Sequence, residues 1–65
     1  MNTFVVHKIL QAGTRQLLLI RPNDYECSLA VYDEHTGQTL LRLTNCTIAE
    51  FERAIAILKE GVNNE

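Results

Sequence analysis

The chain has 65 residues, a formal net charge of −2, 46% hydrophobic residues and 22% charged residues. That length holds one domain, and the composition is that of an ordinary globular chain rather than a disordered one. The charge balance argues against a dedicated duplex-DNA binder, which needs clustered Lys and Arg, while leaving room for a local basic patch. No apolar run reaches the ~18 to 20 residues of a membrane-spanning helix.

The opening "MNTFVVHKIL" lacks a basic leader and reads as structure rather than a signal peptide. Its residues 3–10 are rich in β-branched and aromatic side chains and predict a first strand. "QAGT" at 11–14 is a turn, with Gly13 free to take positive φ. Residues 15–21 form a second strand in which Leu17, Leu18, Leu19 and Ile20 are all large and apolar. Neighbouring strand residues point to opposite faces, so both faces of this strand are apolar, as in a strand covered on both sides. "RPND" at 21–24 is a turn signal, residues 25–33 a third strand, "EHTGQ" at 34–38 a hairpin loop closed by Gly37, and residues 39–44 a fourth strand.

A helix over 48–60 follows. Thr47 and Glu50 make a capping box. Ile48, Phe51, Ile55, Leu58 and Val62 recur at steps of three and four and predict the buried stripe. Gly61 is placed as the left-handed C-terminal cap. Residues 1–62 are read as a single α+β domain of ββββα order, an antiparallel β-meander with one C-terminal helix on one face. Residues 63–65 are read as a frayed tail. Short β–β connections force antiparallel neighbours.

If Glu34 pairs with Gln38, the second hairpin sets Val31 against Leu41 and Leu29 against Leu43 on the helix side. Tyr32 beside Leu40, Ala30 beside Arg42 and Ser28 beside Thr44 then lie on the outer face. One helix covers one face, so large apolar residues remain on the other. Such a patch marks an interaction surface. Tyr32, Leu40, Arg42 and Ala30 are the expected contact residues, and a second copy of the chain is the expected partner. A larger protein is the rival partner.

Chemistry is sparse. His7, Cys27, His35 and Cys46 are the soft-ligand inventory, and no two are closer than eight residues, which is not zinc-site spacing. No metal or cofactor is expected. The chain carries no phosphate loop, and its paired acids fall at a turn and at a helix start, so the reading is not an enzyme. The cysteines are expected reduced, as small half-buried hydrophobes of a cytoplasmic protein. Asn45-Cys46-Thr47 matches a glycosylation acceptor pattern and is set aside on that ground. Cys46 sits near the positive end of the helix, a location that lowers a thiol pKa; the favoured reading is a half-buried cysteine tying the strand to the helix.

Arg42 with Tyr32 on an open sheet, joined by Lys8 or Arg21 according to register, is also a layout that holds single strands by stacking and phosphate contact. The element order is similar to that of the small ββββα single-stranded-DNA-binding transcriptional coactivators. That resemblance implies dimerisation and nucleic-acid binding on the sheet. The dense lysines of such a surface are absent here.

Overall fold

The computed structural model describes residues 4–63. Among them, four strands and one helix follow in order: β1 Val5–Ala12, β2 Arg15–Arg21, β3 Ser28–Asp33, β4 Gln38–Leu43 and α1 Ile48–Asn63. The strands form one antiparallel sheet of order β1-β2-β3-β4. Thr3 and residues 64 and 65, which the sequence reading put in the first strand and in the tail, lie outside the described residues.

Each boundary that differs from expectation has a local cause. β1 runs two residues later because the turn is only two residues long. Ala12 pairs with Arg15, and Gly13 takes a φ of 61° at the first loop position, where a type II′ turn places glycine. A bulge at Ile9 then sets Leu10 opposite Leu17. β3 begins at Ser28 rather than residue 25. The Asn23 carboxamide oxygen accepts from the backbone N–H groups of Tyr25 (2.8 Å) and Glu26 (3.0 Å). This side-chain turn satisfies those donors away from the sheet.

The second hairpin pairs Asp33 with Gln38 across a four-residue loop. The Gly37 N–H donates to the Asp33 carbonyl at 2.8 Å, with Gly37 at a φ of 74°. A bulge at Leu40 restores the expected Val31–Leu41 and Leu29–Leu43 pairs. Tyr32 therefore stands opposite Thr39, not Leu40 as the three-residue loop had required.

The core lies between β2, β3 and the helix. Leu17 and Val31 are 0% exposed, and Leu29, Ala54 and Leu58 close the cluster. The buried helix line is thus Ala54 and Leu58, flanked by half-buried Ile55 and Ile57. It is not the predicted stripe beginning at Ile48 and Phe51, which are 80% and 39% exposed. At ~100° per residue, the helix is turned by roughly 50° from the predicted orientation. Ile57, expected off the stripe, packs on the core instead.

Arg15 packs against the helix in this orientation. Its guanidinium Nη1 donates to the Ile57 carbonyl at 2.7 Å, and its Nε lies 3.9 Å from Asp33 Oδ2. A positive charge from the sheet thereby stands near the helix C-terminus, where the dipole favours it. Gly61 is not a cap. The helix continues through it to Asn63. A Cβ there would lie 2.7 Å from both Cδ and Nε of Arg15, so glycine serves a close approach.

Gly61→Ala tests this packing. Alanine favours the helix by about 1 kcal/mol, but it displaces a charged hydrogen bond worth about 1.5–3 kcal/mol. The expected outcome in denaturant titration is a net loss of about 1 kcal/mol. In an Arg15→Ala background the same change becomes stabilising.

The capping box forms as expected. The Glu50 N–H donates to Thr47 Oγ1 (3.2 Å), and the Thr47 N–H reaches Glu50 Oε1 (3.4 Å).

Candidate interaction surface

Residues paired across antiparallel strands share a face. The register therefore writes out the side of the sheet that carries no helix. One row is Val6, Ile20 and Ser28. The next is Lys8, Leu18, Ala30 and Arg42. The third is Gln11, Gln16, Tyr32 and Thr39. Large side chains on β2, Leu18 and Ile20, form a ridge. Beside them on β3, Ala30 and Ser28 form a trough. Ala30 is only 3% exposed and Ser28 is likewise buried, because each is small and stands among larger neighbours. The Ser28 hydroxyl donates to the Ile20 carbonyl at 3.5 Å.

Of the four residues expected at this surface, Tyr32, Ala30 and Arg42 belong to its rows. Ala30 offers almost no area of its own and acts as the floor of the trough. Leu40 is the extra residue of the β4 bulge and is 38% exposed. Sequence reasoning missed Leu18, Ile20 and Val6 as specific members, since the register of the first hairpin decides them.

The rim at one end is polar. Glu34 accepts from Gln11 Nε2 (2.9 Å) and Gln16 Nε2 (3.1 Å), and Lys8 Nζ donates to Gln11 Oε1 (3.1 Å). Lys8 joins Arg42 on this face, at opposite ends of one row. Arg21 pairs with Val5 and lies on the helix side.

Asp33, at the same end, has its carboxyl held below its ordinary value. Burial pushes it up, but the N–H groups of His35 and Thr36, the Thr14 hydroxyl and the Arg15 guanidinium outweigh that effect.

A second exposed apolar strip runs along one helix flank through Ile48, Phe51 and Val62. These are the three members of the predicted stripe that turn outward, whereas Leu58 is buried and Ile55 half-buried against the core. Val5, His7, Arg21, Asn23 and Asp24 line an open cleft of about 190 Å³, smaller than the ~300 Å³ at which ligand pockets begin. Among the described residues no three His, Cys, Asp or Glu side chains converge on a common point. No helix among them is long and apolar enough to cross a membrane.

The two cysteines, 19 residues apart, meet. Cys46 Sγ lies 2.8 Å from Cys27 Sγ, both free and half-buried. Position near the helix start does not lower the Cys46 thiol. Burial, the hydrogen bond to Cys27 and the charges of Cys27 and Glu50 push it up to about 11. Comparison with protein-family models, with curated proteins and with solved structures gives no match to this chain.

Proposed function

We propose that the chain is a small non-enzymatic interaction module of the cytoplasm, acting as an adaptor, regulator or inhibitor. It assembles as a homodimer through the open face of its sheet. The observation that carries this reading is the ridge beside the trough. A two-fold axis parallel to the strands, between β2 and β3, lays each copy's β2 over the other's β3. Leu18 then meets Ala30, and Ile20 meets Ser28, twice over. Self-complementarity of this kind is what an isologous interface requires.

Small size supports the same reading. Among the described residues, a core cluster of Leu17, Leu29, Val31, Ala54 and Leu58 is thin for a domain at the lower limit of self-sufficiency. Four strands about 4.8 Å apart and six residues long present a face of roughly 400 Å². That is about half the ~800 Å² per partner of a standard interface, so the dimer is expected to dissociate on dilution. The axis brings Lys8 towards Arg42 of the other copy at the rim. Screening that like-charge contact tightens the dimer as salt rises.

Single-strand binding through Arg42, Lys8 and Tyr32 predicts the opposite salt dependence. Amide shifts followed on dilution at low and high salt, with and without a single-stranded oligonucleotide, test the reading. Shifts confined to Leu18, Ile20, Ala30 and their row neighbours, reduced by salt-induced association, support it. Shifts centred on Ile48, Phe51 and Val62 would move the interface to the helix flank. Oligonucleotide-dependent shifts at Arg42 and Tyr32 that vanish with salt would replace it with nucleic-acid binding.

A further inference from the structure

We propose that Cys27 and Cys46 are a reversible thiol–disulfide site, which takes a low-molecular-weight disulfide as oxidant and on closure staples the start of α1 to the sheet.

The geometry is already assembled. The two sulfurs are 2.8 Å apart, within an ångström of the ~2.05 Å of a disulfide bond. Cys27 leads into β3 and Cys46 leads into α1, so the link joins two layers of the fold. Both residues are half-exposed, which gives a small reagent access. Cys46 holds a φ of 53°, a left-handed conformation that non-glycine residues seldom adopt. Such strain persists where the surroundings fix it and gathers at functional positions. The pair lies on the helix side and does not depend on how the outer face is used.

The chemistry balances with a disulfide RSSR as co-reactant. The Cys27 thiolate attacks one sulfur of RSSR. The S–S bond of RSSR breaks, and RS⁻ leaves and takes up the proton lost by Cys27. This gives Cys27–S–SR and RSH. The Cys46 thiolate then attacks Cys27 Sγ, the bond to SR breaks, and the second RS⁻ takes up the Cys46 proton. Two cysteine thiols are oxidised by two electrons, and RSSR is reduced to two RSH.

Cys46 suits the second step. Burial holds its proton most, and the hydrogen bond to Cys27 and the Cys27 charge add to that. These last two disappear once Cys27 carries SR.

The test uses the full chain in buffers of graded oxidised-to-reduced glutathione, quenched in acid, alkylated and weighed. The expected product at oxidising ratios is a single chain short of two hydrogen atoms, with no alkylated cysteine and a cross-linked 27–46 peptide. Its thermal midpoint rises by about 10–20 °C, as expected for a loop of this length, and a reductant reverses the change. In denaturant the same link needs a more oxidising ratio. Cys46→Ser is expected to stop at the mixed disulfide on Cys27, whereas Cys27→Ser reacts slowly. Two alkylated cysteines at every ratio, mixed disulfides alone on the wild-type chain, or links only between chains would each overturn the proposal.

Discussion

Leu17→Ala is expected to leave most of the chain unfolded at physiological temperature. Leu17 is 0% exposed, opposite Leu10 and Val31 and in the same cluster as Ala54 and Leu58. Removing a buried leucine side chain costs about 2–5 kcal/mol through lost transfer energy and the cavity left behind. At about 0.05–0.15 kcal/mol per residue, a chain of this size has only about 3–10 kcal/mol in all. Urea titration followed by circular dichroism reads the loss. A change below about 1 kcal/mol would mean that Leu17 does not sit at the centre of the core and that the first-hairpin register is wrong.

One residue further on, the expected effect changes in kind. Leu18 belongs to the outer ridge, so Leu18→Asp should keep the helix signal and the cooperative transition while abolishing assembly. Seating an unpaired carboxylate against Ala30 of the other copy costs about 3 kcal/mol or more. That corresponds to a Kd at least ~100-fold weaker. Arg42→Ala, at the rim, is expected to change the Kd by less than about threefold. Sedimentation equilibrium on both variants checks the pair. Wild-type assembly of Leu18→Asp would remove the ridge from the interface. A large loss from Arg42→Ala would point to a charge-driven contact instead.

These neighbouring leucines show how far the sequence can be read. The strand periodicity of Leu17 to Ile20 established that both faces of β2 are apolar, and the short connections established the antiparallel meander. The capping box at Thr47 and Glu50 located the helix start. Which leucine faces the helix could not be read, because a one-residue slip exchanges the faces. The slip is settled by the turn at Gly13 and Thr14 being only two residues long and by a bulge at Ile9. Gly13 marks the turn but not its length, and the bulge has no signature in an apolar run. The helix orientation was hidden for a related reason. Pattern reading weights large side chains, and the contact line here runs through Ala54 and Gly61, where smallness permits close approach. Gly61 after an amphipathic run resembles a cap, and only the Arg15 guanidinium lying against it reveals the other role. The cysteine pair was invisible because residues 27 and 46 become neighbours only once β3 and β4 are aligned.

The solution mass of the wild-type chain across a dilution series tests the central claim most directly. The ridge-and-trough face predicts a species near twice 7.4 kDa at high concentration, falling towards 7.4 kDa on dilution and held up by added salt. A chain that weighs 7.4 kDa at every concentration and every salt would contradict it.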